Sequence, residues 1–238
     1  MIRAVLLDID DTLLSFEAAV RQAMREGFPR FGLGEYREEM LPVYNRVSGD
    51  LWRQIERGEL THEGLMRVRW NRVFRALGLE GDGPAFEDYF REVLFWSAVE
   101  VPGACELLAW LVPRYVVCAA SNGPYEQQVN RLRVAGMLGS FDHVFISEKV
   151  GAQKPSREFY DVCMGELRGA ECPGLAPAEV MVVGDSLTSD MAGGAAYGMR
   201  TCWYHPGWTG DEEPPAGVDH VVGRLAAVPA VIGAVTGV

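Results

Sequence analysis

Short apolar runs that end in polar or glycine-containing turns recur along the chain, at residues 4–7, 115–120, 144–146, 180–183 and 201–204, with a weaker one at 221–222. They are near-continuous in Val, Leu, Ile and Ala rather than alternating, the pattern of parallel strands buried on both faces. Segments with helical apolar spacing lie between several of them, at 125–135, 156–167 and 190–197. Strand and helix in alternation predict right-handed crossovers and an open, doubly wound parallel α/β sheet of Rossmann-like form. No internal repeat interrupts this order.

The first run breaks the rhythm. The next convincing strand begins near residue 115, about 100 residues on and far beyond an ordinary loop. Residues 16–97 carry helical spacing instead, as in Leu65, Val68, Val73 and Leu77, and in Phe86, Tyr89, Phe90, Val93 and Leu94. A small helical domain inserted after the first strand is the expectation, leaving 1–15 and 98–238 for the α/β core. Ligands of an open parallel sheet bind outside the carboxyl ends of its strands, so the insert is expected to act as a lid.

Composition changes this picture little. Of 238 residues, 48% are hydrophobic and 23% charged, which excludes disordered, collagen-like and coiled-coil chains. Charge changes it more. Lys and Arg number 22 against 33 Asp and Glu, a net charge of −11, the wrong sign for holding a nucleic-acid polymer. The five cysteines show no CxxC spacing, so neither a disulfide framework nor a zinc knuckle is expected, and a reducing cytoplasm fits. No stretch approaches the ~20 apolar residues that span a bilayer, and the apolar start is cut short at Asp8. The expected protein is cytoplasmic, apart from the membrane, and a monomer or homodimer.

The candidate chemistry sits at strand ends. The first run exits as Leu7-Asp8-Ile9-Asp10-Asp11-Thr12, and the run at 180–183 exits as Gly184-Asp185-Ser186 followed by Asp190. In parallel topology both exits lie on one edge, where several carboxylates are costly unless a cation joins them. Oxygen ligands of this kind suit a hard ion such as Mg²⁺. Asp at a strand end also caps turns, and Asp190 also suits the N-cap of the helix that follows it. Ser121-Asn122-Gly123, after the run at 115–120, offers a hydroxyl and backbone N–H groups for phosphate oxygens, or an everyday turn. Lys154-Pro155 brings one positive charge, of a type more often solvated than functional.

In order, spacing and strand context these four elements resemble the motifs of the haloacid dehalogenase superfamily, and the match covers essentially the whole chain. The resemblance implies a nucleophile at Asp8, a general acid/base at Asp10, a phosphate-binding hydroxyl at Ser121 and a charge-balancing Lys154. It also implies Mg²⁺ held by Asp8, by the backbone carbonyl of Asp10 and by Asp185, with Asp190 in support. Thr12 fits the family's DxDxT pattern and Asn122 its second motif, both expected at the substrate, while Asp11 stands where glycine is common. Asp10 favours phosphoryl transfer, because the superfamily's dehalogenases lack an Asp there. The expected substrate is therefore a small phosphomonoester.

Within the insert, residues 51–61 and Arg67-Val68-Arg69-Trp70 resemble the cap of bacterial 5'-nucleotidases that act on pyrimidine monophosphates. That similarity makes Arg69 the preferred substrate contact. Its neighbours Arg67, Arg72 and Arg75 equally suit a solvated helix face, and the aromatic residues a core. Phosphoglycolate and sugar-phosphate phosphatases share the same core, as do dehalogenases and phosphomutases. A binding module sensing a phosphorylated ligand is the reading from another class. The scattered His62, His143, His205 and His220 form no ligand pair, and Gly193-Gly194 suits close helix packing.

Overall fold

The computed structural model describes residues 1–169 and 171–236. In chain order the elements are β1 (Ala4–Leu7), α1 (Phe16–Arg30), α2 (Leu41–Glu56), α3 (His62–Leu77), α4 (Gly83–Trp96), α5 (Ala104–Leu111), β2 (Val116–Ser121), α6 (Tyr125–Val134), β3 (His143–Ile146), α7 (Ser147–Val150), α8 (Arg157–Gly169), β4 (Val180–Gly184), α9 (Ala192–Tyr197), β5 (Arg200–Tyr204), β6 (His220–Val222) and α10 (Val228–Thr236). The chain divides into two compact units, Met1–Ser15 with Ala98–Val238, and Phe16–Ser97.

The first unit is built on one six-stranded sheet of order β3-β2-β1-β4-β5-β6, parallel throughout. Every residue of β1 and β4 is buried, because side chains alternate between two covered faces. Val5, Leu7, Val117, Ala119, Met181 and Val183 face a core shared with α5 and α10. Ala4, Leu6, Cys118, Ala120 and Val182 face the opposite core, shared with α8 and α9. The fold is α/β, doubly wound and Rossmann-like. Since β1 lies between β2 and β4, the order reverses beside it, and the carboxyl ends of these three strands flank the crevice where such sheets bind ligands.

Strand and helix ends depart from the sequence expectation by a residue or two, within the usual raggedness of termini. Helices α5 and α10 fall on segments for which the spacing predicts none, and a further difference is at 190–197. There the chain makes a π-helical turn, Leu187–Met191, before α9 begins, and Ser186 rather than Asp190 is the N-cap, accepting from Ser189 N–H at 3.2 Å. Gly193 and Gly194 do serve packing. A Cβ on Gly193 would stand 2.5 Å from the Tyr160 hydroxyl, and one on Gly194 would stand 2.9 Å from Val182.

The second unit is helical, α1 to α4 around an aromatic core of Phe28, Tyr44, Trp70, Phe74, Phe86 and Phe90. Trp70 and Phe86 centroids are 4.4 Å apart, and Phe28 meets Phe86 edge-on at 5.5 Å. Two of its helices, α3 and α4, are capped at their N-termini: Thr61 accepts from Gly64 N–H and Asp82 from Ala85 N–H, each at 3.0 Å. Among the described residues no helix is long and apolar enough to cross a membrane.

Candidate active site

Asp8 follows β1 directly, and its backbone N–H extends the sheet by donating to Val183 O at 2.9 Å. Its carboxylate is therefore fixed beside the end of β4. Lys154, buried and only 2% exposed, donates all three ammonium hydrogens, to Asp8 Oδ1, Asp190 Oδ1 and Ala120 O, each at 2.6 Å. A lysine next to a turn proline reads as solvated in the sequence. Here it is the counter-ion of two carboxylates from different strand ends.

Carboxylate oxygens of Asp8, Asp185 and Asp190 can all lie within 4.8 Å of one another. Fully ionised, three carboxylates against one ammonium would leave an excess of two negative charges in a largely desolvated spot. Burial, above all, pushes the Asp8 carboxyl up to about 8; the charges of Asp190 and Asp10 add to this, and Lys154 opposes it. Burial and the neighbouring Asp8 raise Asp185 as well. All-oxygen donors carrying surplus negative charge fit a divalent hard cation. Asp190 has both oxygens engaged, the second accepting from Ser186 N–H at 3.1 Å. It holds Lys154 and ties down the loop after β4. Trp203, on β5, fixes the same loop by donating Nε1–H to Asp185 O at 2.6 Å.

Asp10 points elsewhere. Its Oδ2 accepts from Gln128 Nε2 at 2.6 Å, and its Oδ1 is paired with the Arg131 guanidinium. Gln128 Nε2 also donates to Ser121 Oγ at 2.8 Å. The sequence reading missed Gln128 and Arg131. Their signal was helical spacing: positions i and i+3 on α6, one face, both polar, in the segment that follows Ser121.

Three residues expected at the substrate have buried or engaged side chains in the structure. Asn122 turns its amide to the Lys154 backbone rather than to open space, donating Nδ2–H to Lys154 O at 2.8 Å and accepting from Lys154 N–H at 2.9 Å. Thr12 is fully buried, and its hydroxyl has no hydrogen-bond partner. Arg69 lies inside the helical unit, 4% exposed, with Nε donating to Glu87 at 3.0 Å and its guanidinium 4.7 Å from the Phe90 ring centroid. Its chemistry there is that of a satisfied core ion pair. Arg67, Arg72 and Arg75 are exposed, on the solvated face. Asp11 has φ of +55°, the left-handed region where glycine costs least and Asp is tolerated, which accounts for the residue type common there. His143 pairs with Glu171 at 2.8 Å and stacks on Phe145, away from any ligand cluster.

The family model for haloacid dehalogenase-like hydrolases matches residues 2–198. The chain belongs to this family and is a hydrolase. Pyrimidine 5'-nucleotidase PynA of Streptococcus pneumoniae is 33% identical over 206 residues, covering 85% of this chain and 83% of that one. The HAD-hydrolase YfnB of Bacillus subtilis is 31% identical over 204 residues, covering 86% and 84%. The crystal structure of YfnB bound to magnesium superposes with a TM-score of 0.84 at 28% identity, over 97% of this chain and 98% of that one. The L-2-haloacid dehalogenase of Xanthobacter autotrophicus shares the fold, with a TM-score of 0.72 at 21% identity and 98% coverage of each chain.

Proposed function

We propose that this hydrolase is a Mg²⁺-dependent phosphatase for a small phosphomonoester, a pyrimidine nucleoside 5'-monophosphate in particular, working through an aspartyl-phosphate on Asp8. The observation that carries the reading is a buried Asp8 locked to Lys154 within a carboxylate cluster, with a second carboxyl two residues on at Asp10. The names of two relatives of this chain, the pyrimidine 5'-nucleotidases PynA and YjjG, support the substrate class.

Asp8, Asp185 and the backbone carbonyl of Asp10 would hold Mg²⁺, with Asp190 alongside. The ion supplies charge neutralisation for a dianionic phosphoryl group. Lys154, fully paired, keeps Asp8 oriented and lowers the charge that a phosphate must approach. An Asp8 oxygen attacks phosphorus, the bond to the ester oxygen breaks, and the departing alkoxide takes its proton from Asp10. Water then attacks phosphorus, gives its proton to Asp10, and the bond to Asp8 breaks, releasing phosphate. Ser121 Oγ accepts from Gln128, so its own hydrogen is available to a phosphate oxygen.

The test is phosphate release from pyrimidine and purine 5'-monophosphates, phosphoglycolate and sugar phosphates, with Mg²⁺ and with EDTA, for the native enzyme and Asp8→Asn. Metal-dependent turnover concentrated on pyrimidine monophosphates and abolished in Asp8→Asn is expected. Turnover confined to phosphoglycolate or sugar phosphates would overturn the substrate, and activity retained by Asp8→Asn would overturn the mechanism.

A further inference from the structure

The most deeply buried charge of the α/β unit outside the carboxylate cluster is Arg131, whose side chain is 0% exposed on α6. Removing a guanidinium from water is costly unless it is paired and hydrogen-bonded. Its partner is the partly exposed Asp10, and it also donates to Gln128 Oε1 at 3.0 Å. The Gln128 amide is used in full: Oε1 accepts from Arg131, and the two Nε2 hydrogens go to Asp10 Oδ2 and Ser121 Oγ. The opposite amide orientation would set N–H groups against the guanidinium, so the direction of the chain is fixed by chemistry. One network thus runs from Arg131 through Gln128 to two groups of the site, and both oxygens of Asp10 are held by it.

We infer that Arg131 and Gln128 are positioning residues that aim the Asp10 carboxyl at the leaving-group oxygen and orient the Ser121 hydroxyl for a phosphate oxygen. The inference rests on Asp10 as the acid/base of the proposed phosphatase. A carboxyl two bonds from its backbone has two free torsions, and a general acid must sit within hydrogen-bond reach of the oxygen it protonates. Neither residue touches the reacting atoms; each acts through Asp10 or Ser121. The pair occupies one face of α6, so the helix that follows the phosphate-binding turn also carries the support for the acid/base just beyond the end of the neighbouring strand.

Leaving-group chemistry separates this role from a merely structural one. An alkyl phosphate needs its departing oxygen protonated, whereas p-nitrophenolate leaves without help. The experiment measures kcat and KM of native enzyme, Arg131→Met, Arg131→Lys, Gln128→Met and Asp10→Asn on uridine 5'-monophosphate, glycerol 2-phosphate and p-nitrophenyl phosphate. All are assayed with Mg²⁺, and thermal melting checks that each variant is folded. Arg131→Met is expected to lose about tenfold or more in kcat/KM on the alkyl esters relative to the aryl ester, a fraction of the 10²–10⁴ that acid–base catalysis supplies; kcat/KM, unlike kcat, excludes the hydrolysis of the aspartyl-phosphate that all esters share, and the selectivity of every variant is read from it. Asp10→Asn should show the same selectivity at larger size, and Arg131→Lys should recover part of the loss. Gln128→Met should lose selectively too and raise KM through Ser121, which keeps the inference testable if Arg131→Met does not fold. Equal losses on alkyl and aryl esters in Arg131→Met and Gln128→Met, or no loss, overturn the inference while leaving the proposed function intact. If Asp10→Asn itself shows no selectivity, the acid/base reading has failed, and the inference falls with it.

Discussion

Asn122 and Lys154 meet in a two-point clamp, the side-chain amide of one donating to and accepting from the backbone of the other at 2.8 and 2.9 Å. The pair joins the end of β2 to the segment ahead of α8 as a sheet ladder would, though only one partner is backbone. The consequence lies at the far end of the lysine. A side chain with four rotatable bonds delivers its ammonium to Asp8, Asp190 and Ala120 only if its Cα is fixed, and the clamp fixes it.

Asn122→Ala should therefore act through Lys154 rather than through substrate affinity. It strands the Lys154 N–H and C=O, costing on the order of 1–3 kcal/mol for each group left unpaired in a buried setting. The expected kinetic result is a fall in kcat of about tenfold with little change in KM. Steady-state kinetics and a urea titration check it. A rise in KM at unchanged kcat would return Asn122 to the substrate.

Lys154→Met removes the shared counter-ion of two carboxylates. Breaking a buried pair from one side costs about 3–5 kcal/mol, since the remaining charge is left uncompensated. The variant should unfold at markedly lower urea concentration in EDTA, and a divalent cation should restore part of the loss by supplying charge to the same carboxylates. Activity should fall by about 10² or more even in saturating Mg²⁺. Equal urea midpoints for variant and native protein in EDTA would contradict the counter-ion role.

Gly184 ends β4 where no side chain fits. A Cβ there would lie 2.3 Å from Asp190 Oδ2 and 2.8 Å from Asp190 Cβ. Since Asp190 is held at both oxygens, Gly184→Ala must displace it and with it Lys154. Overpacking of this kind typically costs about 1–3 kcal/mol. The expected outcome is a folded protein of lowered melting temperature and severely reduced turnover. Native activity in Gly184→Ala would show that Asp190 is free to move without consequence.

The sheet was legible in the sequence because its strands are buried on both faces, and burial of that kind writes continuous apolar runs at β1, β2 and β4. The carboxylates were legible because charge at the end of such a run has few bland explanations. The support around them was not. Asn122 reads as a turn residue, Arg131 as one cation of a polar helix, and Lys154 as a solvated surface residue until its three hydrogen bonds are seen. Arg69, expected at the substrate from the resemblance of its stretch, is met by Glu87 and Phe90, which the α3–α4 crossing brings to it. These assignments depend on contacts between residues distant in sequence, which no local period records.

Stability should respond to pH with an unusual sign. Most paired carboxylates have lowered values, so acid destabilises the fold; Asp8 is the reverse, pushed up to about 8 by burial, with Asp185 raised also. Between the ordinary carboxyl value near 4 and about 8, the folded protein holds a proton on Asp8 that the unfolded chain has released. Folding then takes up protons, so without metal the contribution of this site is fully present below about pH 4 and is lost as pH rises through about 8. The slope is up to about 1.4 kcal/mol per pH unit for each proton involved. A divalent cation needs the carboxylate form, so its binding displaces these protons and its stabilisation should grow with pH across the same window. Urea midpoints at pH 5, 6, 7 and 8 in EDTA and in Mg²⁺ check both halves, with Asp8→Asn isolating the group. The native protein in EDTA should lose stability toward pH 8 faster than Asp8→Asn, and the gap between Mg²⁺ and EDTA should widen. Parallel pH profiles for native protein and Asp8→Asn would mean that Asp8 is already ionised in the folded state.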